Sequence, residues 1–202
     1  MTPVLYSFRR CPYAMRARMA LHYAGCTVDI HEVSLKAKPA EMLARSPKGT
    51  VPVLVLEDRV IEQSLDIMHW ALAQHDRDDW LLANDPQAAT QIAALITEND
   101  EVFKLHLDRY KYSVRHPEHL PQHYREQGEV FLQTLENRLQ PQRFLAGEHL
   151  TLADIAIVPF IRQFCFVDQE WFEQSPYPAL RAWLQRLLQS ELFAAVMSIK
   201  AS

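Results

Sequence analysis

The apolar pattern changes character once along this 202-residue chain, and that change sets most of what the chain can fold into. Through residue 75, short runs rich in strand formers alternate with helical patterns; beyond residue 87 the apolar periodicity is almost entirely helical. Residues 4–8 (VLYSF), 27–33 (TVDIHEV), 51–57 (VPVLVLE) and 59–62 (RVIE) read as strands. Between them lie three helical patterns. The first follows Cys11-Pro12, with Met15, Met19 and Tyr23 in register and Gly25 where a C-cap belongs. The second covers 38–46, and the third covers 64–75 with Ser64 as its expected N-cap. The order is β-α-β-α-β-β-α. Two strands joined by a helix should run parallel through a right-handed crossover, and the tight turn at Glu57-Asp58 should make the last two a hairpin.

The expected organisation is therefore α/β plus all-α: a first domain over 1–75, a charged linker over 76–87, and an all-helical domain over 88–202. Helices are expected over 86–112, 119–140, 150–166, 177–189 and 191–198. Hydrophobic residues at 49% and charged residues at 23% are ordinary for a soluble globular chain. The net charge of -4, with no long basic block, argues against a nucleic-acid partner. No apolar stretch approaches the roughly 20 residues that span a bilayer, and the opening residues lack a secretory pattern. Three scattered cysteines (Cys11, Cys26 and Cys165) form no disulfide framework, so a cytoplasmic setting is expected.

Cys11 carries the chemistry. It precedes Pro12 at the start of a helix, where unpaired amides and the positive end of the helix dipole favour a thiolate, the attacking form of the group. Arg9, Arg10, Arg16 and Arg18 add positive potential, but the sequence does not say which faces the sulfur. Three positions on stands Ala14, not a second cysteine, and Cys26 lies beyond the far end of the helix. Disulfide exchange at Cys11 would then be monothiol, resolved by an external thiol.

The stretches YSFRRCPYAMRARMAL, LKAKPAEMLARSPKGTVPVLV, VIEQSLDIMHWAL and LTLADIAIVPFI resemble cysteine-type cytosolic glutathione transferases, closest to the omega class and its bacterial relatives. The resemblance implies a thioredoxin-like first domain and a helical second domain that forms the second-substrate pocket. It implies glutathione as co-substrate, no metal, a homodimer, and a small-molecule or disulfide substrate. By the same resemblance Cys11 is catalytic, Pro52 is a structural cis-proline, and Val51 offers its backbone to the cysteinyl part of glutathione. Ser64 would hold the γ-glutamyl carboxylate, Lys38 the glycyl carboxylate, and Tyr13 would belong to the same binding set. Gln63 stands where the family usually has Glu, which weakens pairing with the ligand's ammonium.

The expected activity is a glutathione-dependent thiol transferase reducing mixed disulfides or dehydroascorbate-like oxidants. Two alternatives stand beside it: glutathione conjugation or lyase chemistry on an electrophile, and a non-enzymatic protein-binding module of the same fold. Tyr6 and Ser7, the hydroxyls that would serve conjugation, read as strand-end residues. The histidines of HPEHLPQHY (His116, His119 and His123) read as a solvated loop, not a metal site. Thr151 and Asp154 form a capping-box variant, a folding element without chemistry of its own.

Overall fold

A computed structural model describes residues 2–198, and the outer limits of the expected domains, residues 1 and 202, lie outside that range. The chain divides into two compact units, one holding the residues through Arg77 together with the last helix, the other residues 78–188.

The first unit is built on strands β1 (Val4–Ser7), β2 (Asp29–Glu32), β3 (Val53–Val55) and β4 (Val60–Ile61). They form one sheet in the order β2-β1-β3-β4. β1 pairs with β2 in parallel, whereas β1–β3 and β3–β4 are antiparallel, which is the expected mixed sheet. Helices α1 (Pro12–Tyr23), α2 (Ala40–Arg45) and α3 (Ser64–Gln74) complete the β-α-β-α-β-β-α order of a thioredoxin-like domain. Register dictates the layering. Tyr6 and Val53 are cross-strand partners and cluster with Val33 and with Met42 of α2. Strand side chains alternate, so their neighbours Leu5 and Leu54, also partners and fully buried, occupy the opposite face. That face is left to α1 and α3, which pack against each other.

α1 is buried almost all round, from Ala14 to Leu21. The cause is a third neighbour: α10 (Glu191–Ser198) packs on α1, so the expected helical domain over 88–202 gives up its last helix to the first unit. Gly25, with φ +70°, follows the C-cap Ala24 in the left-handed geometry its position implied.

The second unit contains α4 (Pro86–Glu98), α5 (Lys104–Lys111), α6 (Pro121–Leu139), α7 (Leu152–Cys165), α8 (Gln169–Gln174) and α9 (Pro178–Leu188). The helix expected over 86–112 is interrupted by a π-helical turn at Asn99–Phe103, which brings Phe103 into contact with Phe131 and Phe164. The expected linker is only partly a linker. Trp80 is 1% exposed, and its carbonyl accepts the Leu152 amide at 3.0 Å.

Asp154 organises the centre of this unit. Its carboxylate accepts Thr151 N–H at 2.9 Å and Thr151 Oγ1–H at 3.0 Å, as the capping pattern implied. It also accepts Leu145 N–H at 3.0 Å and Trp183 Nε1–H at 2.8 Å, both from distant segments. Burial raises the pKa of this carboxyl, and the four donors oppose that effect. Each buried donor left without an acceptor costs about 1–3 kcal/mol. Asp154→Ala is therefore expected to lose at least about 3 kcal/mol of stability in urea unfolding, with Asp154→Asn losing less. A loss below about 1 kcal/mol for the alanine variant would show that water replaces the carboxylate.

Candidate functional site

Cys11 occupies the N-cap of α1 with extended backbone angles (φ -74°, ψ 122°), and Pro12 takes the first helical position. Its N–H closes the preceding turn on the Phe8 carbonyl at 3.0 Å, and its own carbonyl accepts Met15 N–H at 2.9 Å. This geometry leaves the side chain half-buried at the end of the helix where amides are unpaired. The Sγ lies 3.8 Å from the Val51 carbonyl oxygen. That carbonyl belongs to the Val51-Pro52 peptide, which is cis. Three of the sequence candidates thus meet at one point.

Ser64 is reached by a different route than its sequence context suggested. Gln63, not Ser64, is the N-cap of α3, and its carbonyl accepts Ile67 N–H at 3.0 Å. Ser64 is the first helical residue and is 4% exposed. Its Oγ accepts from Arg16 Nε at 3.0 Å, which leaves its own hydroxyl proton available to a ligand. The Arg16 guanidinium also lies over the Tyr13 ring, 5.1 Å from its centroid, so Arg16 links Tyr13 on α1 to the start of α3. The exposed Gln63 lines an open groove of about 670 Å3 that also includes Asp66, His69 and Trp70. Lys38 is exposed, and its Nζ lies over Gly49, 3.6 Å from where a β-carbon would stand. Gly49 adopts φ +64°, so the approach to Val51 combines a left-handed turn with a lysine folded across it.

Arg18 is, with Arg16, one of two arginines of α1 that fold into the interior. It is 4% exposed, and it donates to Ser7 Oγ at 2.6 Å, to the Arg9 carbonyl at 2.8 Å and to the Phe8 carbonyl at 3.5 Å. The Phe8 carbonyl is the same oxygen that receives Cys11 N–H. Burial lowers the pKa of this guanidinium; the negative charges of Glu32 and then of Cys11 oppose the effect, and Arg9 adds to it. Arg18 also reaches Met197 Sδ at 3.9 Å on α10. Neither arginine was distinguishable from a surface cation in the sequence; the signal was their place among Ala14, Met15, Ala17 and Met19 on a helix otherwise made of core residues.

The hydroxyls are already engaged. Ser7 is fully buried with its Oγ on Arg18, and Tyr6 is 5% exposed in the core with its ring edge-on to His31 at 5.5 Å. Burial, followed by Glu41, raises the Tyr6 pKa, with Arg45 opposing. Among the described residues no group of three or more His, Cys, Asp or Glu side chains is placed to hold a metal ion.

Comparison with known proteins locates this arrangement. The family model described as "Glutathione S-transferase, N-terminal domain" matches residues 5–88, and the one described as "Glutathione S-transferase, C-terminal domain" matches residues 118–186. Glutathione S-transferase D7 of Anopheles gambiae is 24% identical over 191 residues, covering 92% of this chain and 86% of that protein. The crystal structure of glutathione transferase Omega 3C from Trametes versicolor superposes with a TM-score of 0.82 at 22% identity, covering 99% of this chain and 90% of that one. A Pseudomonas fluorescens family member with two glutathione molecules bound superposes with a TM-score of 0.83 at 19% identity, covering 98% of this chain and 93% of that one.

The other cysteines differ from Cys11 in setting. Burial pushes the Cys165 thiol up to about 11, with Glu173 adding to the effect and Arg162 opposing it, and burial also raises the pKa of Cys26. Both should stay protonated near neutral pH and alkylate more slowly than an unstructured thiol. Peptide mapping after brief iodoacetamide treatment checks this, with Cys165 labelling expected to rise about tenfold per pH unit up to its raised pKa. Rapid labelling of Cys165 at neutral pH would contradict it.

Proposed function

Since this chain belongs to the glutathione S-transferase family, we propose that it is a glutathione-dependent thiol transferase working through Cys11. The observation that carries the reading is the position of Cys11 Sγ: at the N-cap of α1 and 3.8 Å from the carbonyl that precedes the cis-proline. A ligand thiol or disulfide paired with the Val51 backbone would lie beside that sulfur. Helix N-terminal amides stabilise the thiolate that attacks.

In the proposed cycle the Cys11 thiolate attacks the glutathionyl sulfur of a mixed disulfide. A Cys11–glutathione disulfide forms, and the substrate leaves as a thiolate that takes up a proton. A second glutathione thiolate then attacks the glutathionyl sulfur held on Cys11, releasing oxidised glutathione and restoring the Cys11 thiolate. One substrate disulfide is reduced and one glutathione disulfide is formed. Ala14 stands at the position of a resolving cysteine, so the second thiol must come from solution. Cys26 follows the 12-residue α1, and about 1.5 Å of rise per residue puts roughly 20 Å between the two sulfurs.

The remaining roles follow from chemistry. Ser64 Oγ–H and the first amides of α3 suit a carboxylate, here that of the γ-glutamyl group. The Val51 N–H and C=O suit the cysteinyl backbone, and Lys38 suits the glycyl carboxylate. Gln63 hydrogen-bonds the ligand's ammonium without a full charge. Tyr13, beneath the Arg16 guanidinium, is assigned to the same binding set. The family's habit of pairing makes a homodimer the expected assembly, and a cycle that consumes reduced glutathione is in keeping with the expected cytoplasmic setting.

Conjugation by a Tyr or Ser hydroxyl is disfavoured because Ser7 is bound to Arg18 and Tyr6 is buried in the core. The decisive experiment is glutathione-dependent reduction of a small mixed disulfide by wild type and Cys11→Ala, with intact mass measured after exposure to oxidised glutathione. The expected result is loss of activity of about a hundredfold or more in the variant, and a single glutathione adduct mapping to Cys11 in the wild type. An unmodified Cys11 with no reductase activity would overturn the proposal in favour of conjugation or a binding role.

Arg18 provides an independent check. Arg18→Met removes the buried cation, and the pH at which Cys11 alkylation reaches half its maximal rate is expected to rise by about one unit. Arg18→Lys retains the charge and should shift it less. Equal profiles for all three proteins would assign Arg18 to the turn's architecture alone.

A further inference from the structure

The second unit carries a concave pocket of about 280 Å3 that contains four of the chain's nine histidines. His106 and Arg109 come from α5, His116 and His119 from the segment before α6, and His123 from α6 itself. Tyr124 forms a buried wall, its ring within 5.5–6.1 Å of the His123, His119 and His116 rings. The His119 and His123 rings stack at 4.1 Å. A sequence reading takes these histidines for a solvated loop; folding gathers them with a fourth from another helix and with an arginine.

The pocket has more potential positive charge than acceptors. Its lining includes one carboxylate, Glu118, and that group already accepts from Tyr124 Oη at 3.2 Å. The other partner of Tyr124 Oη is the His116 carbonyl at 2.9 Å. Arg109 makes no hydrogen bond or ion pair among the described residues, and His106 Nδ1 is buried without a partner. A cavity of this size, with a guanidinium, four imidazoles and a single engaged carboxylate, is chemically complementary to a small anion. We propose that this pocket binds a small dianion of the phosphate, sulfate or dicarboxylate type, and that binding takes up protons onto its histidines.

The sign of the proton linkage follows from the groups that face one another. Burial lowers the pKa of His106, and the cationic charges of Arg109 and His123 lower it further. A dianion placed among them reverses the two repulsive contributions and raises the proton affinity of each histidine it touches. Glu118, held ionised chiefly by a backbone N–H and then by Tyr124 and the neighbouring His116 and His119, works against the anion at all pH values where it is charged. Affinity should therefore be greatest on the acid side of the histidine range and decline as pH rises. One linked proton makes the decline about tenfold per pH unit above the histidine pKa.

The test uses sulfate, which does not titrate in this range, against chloride at matched ionic strength. Histidine ring proton shifts and calorimetry are followed on the full chain at about pH 6 and about pH 8. Saturable sulfate binding at the lower pH, weaker by tenfold or more at the higher one, is expected. Arg109→Gln and His119→Gln, both at the surface of the pocket, should each weaken it about tenfold or more while leaving glutathione binding unchanged. Three results would overturn the proposal: no binding beyond chloride, binding that survives both substitutions, or a preference for zinc ions over sulfate at the same residues. None of these outcomes depends on the chemistry of Cys11, so this proposal and the thiol transferase reading fail separately.

Discussion

The β1–α1 turn is held by a cation buried in the wrong kind of place. Arg18 sits at 4% exposure on a helix packed on several sides, and its described acceptors are all neutral: the Ser7 hydroxyl, the Phe8 and Arg9 carbonyls and the Met197 sulfur. A buried guanidinium without compensation costs several kcal/mol, on the order of a domain's whole margin of stability. Part of the compensation comes from Glu32, the larger of the charges that oppose the effect of burial on this guanidinium. Glu32 is fixed by accepting the Arg9 amide at 2.7 Å, so strand β2, the turn and the helix are tied to one another through charge as well as sheet pairing. An apolar residue at position 18 could fill the same volume, but it would leave Ser7 Oγ and the Arg9 carbonyl without a donor. It would also take away a charge that interacts with the proposed nucleophile.

Arg16 does for α3 what Arg18 does for the turn. One helical face cannot carry both side chains, because residues two apart lie about 200° apart around an α-helix. The two guanidiniums therefore leave α1 on nearly opposite sides: Arg16 toward Ser64 and Tyr13, Arg18 toward β1 and α10. This explains why α1 needs neighbours on both sides, and why α10 returns to the first unit. Arg9 adds a further link by donating to the Met197 carbonyl.

Local signals in the sequence carried the framework, and long-range ones did not. The alternation of strands and helices to residue 75, the Cys11-Pro12 helix start and the Gly25 C-cap each depend on a few adjacent residues, and each appears as read. The resemblance located Val51-Pro52, and the cis bond stands there. What escaped depends on residues far apart. The Ser64 hydroxyl looked like a cap because serine before a helical pattern usually is one; its partner is 48 residues away, on a helix whose orientation the sequence does not state. The π-helical turn at 99–103 lies inside a pattern of continuous helical propensity, and what it achieves is the placement of Phe103 against rings from α6 and α7. Asp154 shows both cases in one side chain: Thr151, three residues away, was legible, whereas Leu145 and Trp183 were not.

The same distinction bears on how a nucleophile can be singled out among similar groups. In sequence, Tyr6, Ser7 and Cys11 are three candidates within six residues, and Cys26 and Cys165 are two further thiols. Their separation is a matter of environment, not residue type. Tyr6 belongs to the core beneath α2, and Ser7 is committed to Arg18. Cys26 and Cys165 lie in surroundings that favour the neutral thiol. Cys11 differs from all of them in standing at a helix N-terminus beside the Val51 carbonyl. A thiolate gains from the helix terminus, whereas a tyrosine or serine hydroxyl at neutral pH has little charge for it to act on. Under the proposed function, exchanging Cys11 for serine would keep the shape of the site while removing the ionisable thiol on which the helix terminus acts.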